Sequence, residues 1–461
     1  MPTKILQHLE SQSQTAIDSL TDFLRIPSIS ADRAYDKDCV RCAQWIAQQF
    51  RSLGLEVIIH DTPGQPIVTA KPLDQDVLNP NAPRILYYGH YDVQPPDPLE
   101  LWQSPPFEPA IVDGAIVARG ASDDKGQVCC ILEALRAWKN ISGKFPAPFT
   151  LLIEGEEESG SENLQAFIKR EKDYLKADVC IISDTSLWDI GDQRKPAITY
   201  ALRGLVYFDI KLHGPNRDLH SGVYGGTLAN PANILTRILG RLQDDDNKIT
   251  IPHFYDDVQP TSDQVKSDWQ KLGFKDEQFL GPLGVQAAGE ATYTTLERRW
   301  TRPACDINGI YGGYAGQGAK TVIPAFAGAK VSFRIPAAMQ GDKVAKQFEA
   351  WLRSQNTHGL TWEITNLGHC NPVAVPTDSP FMTAAKQAIF CASGEQAVVI
   401  AEGATIPVVA DFKALLAIDS LLVGFGLSDD KIHSPNEKFD LDCFQLGQKT
   451  HAAILDVFGK M

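Results

Sequence analysis

The stretch that decides the fold is "FTLLIEGEEESGS", residues 149–161. An apolar run, Phe149 to Ile153, leads directly into four glutamates within five positions: Glu154, Glu156, Glu157 and Glu158. This pattern is typical of a buried strand that ends in a cluster of negative charge. Like charges at such short spacing repel each other and raise one another's pKa. A fold that keeps this cluster at a strand end needs something to balance the charge.

The composition is that of an ordinary globular protein, long enough for two or three domains. The chain has 461 residues, of which 43% are hydrophobic and 22% are charged. Its net charge is −14, from 43 lysines and arginines against 57 aspartates and glutamates. An acidic chain is poorly suited to bind nucleic acid or an anionic membrane. We therefore expect neither nucleic acid nor a membrane as a partner.

No segment reads as a membrane span or an export signal. The sequence has no unbroken apolar run of about 18 residues, and the N-terminal "MPTKILQHLESQSQTAIDSL" lacks the apolar core of a signal peptide. The nine cysteines are scattered, which favours reduced thiols over a disulfide framework. Cys39 and Cys42 lie in a helical pattern without a second pair, so a metal or redox role is disfavoured. These features predict a cytoplasmic protein.

The order of elements predicts an α/β protein with an insert. Helical and short apolar strand patterns alternate over the first 204 residues and again from residue 376 to the C-terminus. This alternation indicates a largely parallel mixed sheet flanked by helices. Between residues 205 and 375 the pattern changes to alternating strands, a few helices and a long polar stretch, as in an α+β domain. We therefore predict one domain over 1–204 and 376–461, and an inserted domain over 205–375.

Potential metal ligands follow several of the predicted strands. In open α/β sheets, sites form outside the carboxyl ends of the strands. Four strands and one C-terminal loop end in such residues: His90 and Asp92; Asp123 and Asp124; Glu156, Glu157 and Glu158; Asp184; and His433.

Each of these residues also has an ordinary structural interpretation. The Asp123-Asp124 pair could cap the next helix, the glutamates could form a solvated loop, and His433 could be a surface histidine. Together they are better explained by a binuclear cation site. Two divalent ions carry four positive charges, which would balance three ligating carboxylates, and nitrogen and carboxylate ligands suit zinc.

Six motifs, taken together, resemble the co-catalytic di-zinc peptidase family. They are "GHYDVQP" (89–95), "RGASDDKG" (119–126), "EGEEESGS" (154–161), "DLHSGVYGG" (218–226), "GAKTVIP" (318–324) and "IHSPNEKF" (432–439). This family includes carnosinase-type dipeptidases, acetylornithine deacetylase and succinyl-diaminopimelate desuccinylase. The motifs occur in family order over nearly the whole chain, and the fourth and fifth resemble the dipeptidase branch.

The resemblance implies a set of metal ligands. His90 and Asp184 would bind one ion, Glu158 and His433 would bind the other, and Asp123 would bridge them. Two divalent ions are expected, with Zn²⁺ first and Mn²⁺ or Co²⁺ as alternatives, since all three accept this ligand set.

The resemblance also implies the residues that assist catalysis. Asp92 would hold the second nitrogen of His90, and Glu157 would be the general base that serves a metal-activated hydroxide. The peptide bond between Asp123 and Asp124 would be cis. Glu154 and Glu156 match no family role and are interpreted as structural or solvated.

The inserted domain would act as a lid and a dimerisation domain, as in the family. His220 would come from the lid of a partner subunit and stabilise the tetrahedral oxyanion. Thr321 and Arg334 would bind substrate, with Arg334 gripping a C-terminal carboxylate. His369 is a weaker match, because its "GHCNP" is one residue shorter than the "GHGGKP" of the family's dipeptidases.

A segment near the C-terminus departs from the dipeptidase pattern. Where those enzymes read "REGGSIPV", this chain has Ala401 in place of the arginine, followed by Glu402 and, further on, Thr405. Glu402 could still pair with a substrate ammonium group, and Thr405 could still offer a hydroxyl.

These features together predict a metal-dependent dipeptidase that acts on small peptides as a homodimer. One alternative is an N-acyl-amino-acid deacylase, which uses the same chemistry on a blocked amine. A second alternative is a dimeric ligand-binding module without catalysis.

Overall fold

The computed structural model describes residues 2–190 and 194–461 and divides into two compact units. The first unit comprises Met1–Tyr200, Val375–Ile400 and Asp411–Met461, and the second comprises Ala201–Ala374 and Ala401–Ala410.

The strands and helices have the following bounds in chain order. The strands are β1 (Glu56–His60), β2 (Ile67–Lys71), β3 (Ile85–His90), β4 (Ala110–Val112), β5 (Ala115–Val117), β6 (Phe149–Glu154), β7 (Val179–Ile182), β8 (Ala197–Leu202), β9 (Gly204–His213), β10 (Leu219–His220), β11 (Ala304–Gly312), β12 (Val322–Ile323), β13 (Phe326–Ile335), β14 (Thr361–Cys370), β15 (Val373–Ala374), β16 (Val398–Glu402), β17 (Asp419–Leu422) and β18 (Lys438–Asp440). The helices are α1 (Pro2–Ser11), α2 (Ser13–Leu24), α3 (Asp36–Ser52), α4 (Lys125–Ser142), α5 (Leu164–Arg170), α6 (Ser221–Tyr224), α7 (Pro231–Leu239), α8 (Asp263–Gln270), α9 (Asp276–Leu280), α10 (Thr295–Trp300), α11 (Gly341–Ser354), α12 (Pro380–Ser393), α13 (Pro407–Asp411) and α14 (Leu441–Phe458). Short 3₁₀ turns include Glu157–Ser159, and a π-helical turn covers Phe412–Leu416.

The first unit is built on a mixed sheet with a parallel centre. Its strands run in the order β1-β2-β6-β3-β7-β17-β8. The neighbours β6, β3, β7 and β17 are parallel, while β1, β2 and β8 pair antiparallel with their neighbours. Every residue of β3, β6 and β7 is buried, as expected for central strands covered on both faces. The predicted class, an α/β fold with a mixed sheet flanked by helices, is confirmed.

Long helices cover this sheet. In α4, 13 of the 18 residues are buried, and α4 packs against α14. The indole of Trp138 donates from Nε1 to the carbonyl oxygen of Ala452 at 3.0 Å, which fixes how the two helices lie together. Gly143 ends α4 in the left-handed conformation with φ of 72°, a backbone angle that glycine adopts at low cost.

The second unit has an antiparallel sheet of its own in the order β11-β13-β9-β14. Along β9, buried and half-buried residues alternate, so one face forms a core with α7 and α11. Residues 401–410 belong to this unit, although the sequence pattern placed them with the first. The reason is local bonding, because Thr405 donates to the carbonyl of Arg203 and accepts from Arg334.

The described residues, 2–190 and 194–461, contain no helix that is both long enough and apolar enough to cross a bilayer.

Candidate metal centre

Three candidate site segments follow neighbouring strands of the parallel sheet centre. His90 is the last residue of β3, the turn with Glu157 and Glu158 follows β6, and Asp184 follows β7. Because β6, β3 and β7 are adjacent and parallel, their carboxyl ends meet at one edge of the sheet. The structure therefore brings these three predicted segments together at one edge of the sheet.

The other two segments reach the site differently. Asp123 follows β5, which belongs to a separate small sheet in the order β18-β5-β4, and not to the parallel sheet as expected. His433 lies in the loop between β17 and β18. The interpretation of Asp124 as a helix cap holds for its position only, because its side chain makes no capping hydrogen bond to α4. Asp124 precedes α4, but its Oδ2 accepts from the backbone N–H of His90 at 3.1 Å.

Asp123 lies between the two histidines. One carboxylate oxygen, Oδ1, is 3.1 Å from Nε2 of His90, and the other, Oδ2, is 3.0 Å from Nε2 of His433. The ligand atoms of His90, Asp123 and Asp184 lie within 4.8 Å of one another, and so do those of Asp123, Glu158 and His433. Two groups of three candidate ligands therefore share the carboxylate of Asp123. The bond between Asp123 and Asp124 is cis, as predicted.

The buried donor atoms fit a pair of cations. Nε2 of His90 is buried and makes no hydrogen bond to any described residue, although it faces the Asp123 carboxylate. A buried ring nitrogen of this kind is costly unless something binds it. On the other side of the ring, Nδ1 lies 3.3 Å from Oδ1 and 3.1 Å from the backbone oxygen of Asp92. This pair of oxygens orients the ring so that Nε2 would be available to a cation beside Asp123.

The buried carboxylates of the site have shifted pKa values, which indicates that nearby positive charge would stabilise their ionised forms. Burial raises the pKa of the Glu157 carboxyl to about 9. Burial, together with the nearby charge of Asp123, raises the pKa of Asp184 to about 7. Burial would also raise the pKa of Asp123, but the two histidines beside it hold that pKa below its ordinary value. Cations placed among crowded, buried carboxylates stabilise the ionised form of those carboxylates.

Asp92 also shapes the glutamate turn. Its carboxylate accepts from the backbone N–H of Glu157 at 3.2 Å and of Glu158 at 3.0 Å, and from the hydroxyl of Ser30 at 2.6 Å. Gln94 donates from Nε2 to Oε2 of Glu158 at 2.8 Å. Sequence reasoning did not assign a role to Gln94 or Ser30. Gln94 lies within the motif "GHYDVQP", so membership of that motif was the available signal.

The two glutamates without a predicted role accept hydrogen bonds from neighbouring side chains. Glu154 accepts from the hydroxyl of Tyr88 at 2.6 Å and from that of Ser161 at 3.0 Å. Glu156 accepts from the side-chain amide of Asn163 with both carboxylate oxygens. The cluster in residues 154–158 therefore divides into side chains that hold the turn together and side chains that face the site.

Three of the residues predicted to bind substrate, Arg334, Glu402 and Thr405, make their contacts within the second unit. Arg334 donates from Nη1 to Oγ1 of Thr405 at 2.9 Å. Glu402 lies 3.5 Å from Nη2 of Arg299, and its Oε1 accepts from the backbone N–H of Gly403 at 2.6 Å. Sequence reasoning did not single out Arg299, because its partner lies 103 positions away in the chain.

The remaining candidates of the second unit lie in other places. His220 and Thr321 are close, because β10 pairs with β12 and the N–H of Ser221 donates to the carbonyl of Thr321 at 3.2 Å. Nδ1 of His220 accepts from the N–H of Gly222. His369, in β14, lies 3.2 Å from Oδ1 of Asp342.

Comparison with known proteins assigns the chain to a family. The model of peptidase family M20/M25/M40 matches residues 86–457. The Cys-Gly metallodipeptidase DUG1 of Saccharomyces cerevisiae is 33% identical over 99% of this chain and 98% of its own length. The Beta-Ala-His dipeptidase of Homo sapiens is 30% identical over 98% of this chain and 91% of its own.

A solved structure agrees with these relatives. The crystal structure of human carnosine dipeptidase 1 superposes with a TM-score of 0.83 at 28% identity, covering 100% of this chain and 99% of that chain. The resemblance that the motifs indicated, including the dipeptidase branch, is confirmed, and membership of a metallopeptidase family implies that the chain binds divalent metal ions. The chain belongs to peptidase family M20/M25/M40, and it is a metal-dependent dipeptidase and therefore a metallohydrolase.

Proposed function

We propose that the chain hydrolyses small free dipeptides at a centre of two divalent cations. The observation that supports this is the position of Asp123, whose two carboxylate oxygens each lie close to a different histidine. His90 and Asp184 would complete one ligand group, and Glu158 and His433 would complete the other. Zn²⁺ is the first expectation, because histidine nitrogen with carboxylate oxygen is a normal zinc set, and Mn²⁺ or Co²⁺ are the alternatives.

When bound, the cations would supply Lewis acidity, which polarises a peptide carbonyl and lowers the pKa of a water molecule. The residues of the chain would do the rest. Glu157 would take the proton of the attacking water and deliver it to the leaving amine. Its backbone N–H donates to Asp92, so the carboxylate that orients His90 also holds the turn that carries the base. Asp92 would thus assist catalysis indirectly, by orienting His90 and by holding the turn that carries Glu157.

The side chains of the second unit are proposed to recognise the substrate. Arg334 would bind the C-terminal carboxylate, with Thr405 as its hydrogen-bonded neighbour. Glu402 would bind the substrate ammonium group, and Thr321 and His369 would offer further polar contacts.

We also propose that the protein works as a cytoplasmic homodimer. In that arrangement His220 of the partner subunit would stabilise the oxyanion of the tetrahedral intermediate. Light scattering tests the dimer directly, and a monomer would remove the case for His220 acting in trans.

One observation favours a second candidate, an N-acyl-amino-acid deacylase. Arg299 lies 3.5 Å from Glu402 and already offers it a cation. A carboxylate that is paired in this way has less free energy to gain from a substrate ammonium group. An enzyme that prefers blocked amines would not need that contact.

The deciding experiment strips the protein of metal and reloads it with Zn²⁺ or Mn²⁺. Free dipeptides, such as the Cys-Gly and β-Ala-His named for the relatives, are then compared with their N-acetylated forms. We expect cleavage of the free dipeptides only, and only with metal. Cleavage of the N-acetylated forms instead would establish the deacylase. The variant Glu402→Ala should weaken hydrolysis of free dipeptides more than that of blocked ones.

A further inference from the structure

A buried carboxylate outside the candidate ligand set contacts the segment that carries Asp123. Glu437 is fully buried, and each of its two carboxylate oxygens accepts two hydrogen bonds. Oε2 accepts from Nη1 of Arg119 at 2.7 Å and from the N–H of Gly120 at 2.9 Å. Oε1 accepts from the N–H of Ser122 at 3.0 Å and of Asp123 at 3.1 Å. One carboxylate therefore holds three backbone amides and the arginine of a single five-residue segment.

The chemistry of these partners requires an anion at this position. All four partners are N–H donors, so both oxygens must accept. Arg119, which is also buried, compensates the charge. A glutamine in place of Glu437 would turn an NH₂ group toward two other donors, and that leaves buried polar groups unpaired.

The same carboxylate joins two segments that are far apart in the chain. Glu437 lies four residues after His433, and its partners end at Asp123, more than 300 positions away. A second link runs beside it, because Ser122 donates from its hydroxyl to Oδ2 of Asp430 at 2.8 Å. The segments that carry the shared carboxylate and one of the two histidines are thus tied to each other by buried hydrogen bonds.

We propose that Glu437 is a positioning residue of the metal centre, which holds the Arg119–Asp123 segment so that Asp123 can face both cations. This inference rests on the proposed ligand role of Asp123. Glu437 does not touch substrate or metal in this scheme, and it acts only through the backbone amide of Asp123 and its neighbours. Loss of such outer partners typically weakens metal binding about 10- to 100-fold.

The test compares the zinc affinity of Glu437→Gln and wild type by competition with a chelating dye. A matched control is Glu133→Gln, which removes another buried carboxylate with an arginine partner, Arg136, but with no link to the Asp123 segment. We expect affinity to fall about 10- to 100-fold in Glu437→Gln and to stay within about twofold of wild type in the control. A folded Glu437→Gln protein that binds zinc like wild type would overturn the proposal.

A third variant separates this inference from the proposed function. If Asp123→Asn binds zinc as tightly as wild type, the ligand assignment itself is wrong. If Asp123→Asn binds weakly while Glu437→Gln does not, only the positioning role fails.

A measurement on unmodified protein covers the case in which Glu437→Gln does not fold. Hydrogen–deuterium exchange is followed in peptides that span residues 119–124, with and without Zn²⁺. If Glu437 positions the Arg119–Asp123 segment, the backbone amides of that segment exchange slowly even without metal. Fast exchange that becomes slow only on metal addition would show that the metal, and not Glu437, orders the segment, and the proposal would fall.

Discussion

Two adjacent glutamates in the turn after β6 have different surroundings. Asn163 lies 2.8 and 3.1 Å from the two carboxylate oxygens of Glu156, which are thereby occupied. Burial and the nearby charge of Asp184 raise the pKa of Glu157. Side chains one position apart in a tight turn point in different directions, so neighbours in sequence can have unrelated roles.

Replacing the proposed base should remove the chemical step and leave metal binding intact. We expect Glu157→Gln to lower kcat about 10²- to 10⁴-fold, because an amide cannot take a proton from water. The matched control is Glu156→Gln, which should keep nearly all of the activity. Steady-state kinetics on a free dipeptide, with zinc content measured in each preparation, gives the result. Wild-type kcat in zinc-loaded Glu157→Gln would exclude this residue as the base.

At the scale of elements, the N-terminus of α4 is packed against the segment that leads into it. Gly126 is the second residue of α4, and an added Cβ would lie 1.9 Å from the backbone oxygen of Ala121 and 2.8 Å from the ring of Phe439. Backbone cannot move aside as a flexible side chain can. The close approach therefore requires glycine, and it fixes where the segment with Asp123 meets the helix.

The variant Gly126→Ala should destabilise the protein and also weaken metal binding. Overpacking of this kind typically costs about 1–3 kcal/mol of unfolding free energy. The displaced segment carries Asp123, so zinc affinity should fall as well. The control is Gly281→Ala, because Gly281 has helical backbone angles and open space around its Cβ position. Calorimetry and dye competition on both variants test this, and an unchanged Gly126→Ala protein would contradict the packing described here.

At the scale of the whole molecule, a buried histidine couples pH to stability. His451, on α14, is fully buried, with Ser183 Oγ 2.8 Å from its Nε2 and the rings of Tyr87 and Phe425 at its edges. Burial lowers its pKa to about 3. Since an unfolded histidine has a pKa of about 6.5, only the unfolded state binds the proton between these values. The contribution of His451 to stability is therefore complete above about pH 6.5 and is lost progressively as the pH falls toward 3.

We expect the free energy of unfolding of wild type to fall relative to His451→Gln on acidification. The difference should be about 2 kcal/mol between about pH 7 and about pH 5. Other titrating groups cancel, because the same metal-free background is used for both proteins. His253→Gln is the control, since the side chain of His253 is 79% exposed. Denaturant unfolding at each pH provides the values, and parallel curves for wild type and His451→Gln would show that His451 is not the source of the pH dependence.

The sequence by itself predicted the architecture and named all five candidate ligands. Apolar runs such as 149–153 predict buried strands because a central parallel strand must be apolar on both faces. His90, Glu158 and Asp184 could be located because each lies at or shortly after the end of such a strand, and parallel neighbours bring their ends together. These signals are local, so they are visible in the order of residues alone.

Only the tertiary structure decided which polar groups from distant parts of the chain contact each other. Asp123 and His433 are 310 positions apart and meet through loops, so no periodic pattern connects them. The bonds from Glu437 to the Asp123 segment, and the cation that Arg299 offers to Glu402, depend in the same way on contacts between distant parts of the chain. The physical reason is that a strand's burial follows from its own residues, whereas a polar side chain finds its partner only after the surrounding elements have packed.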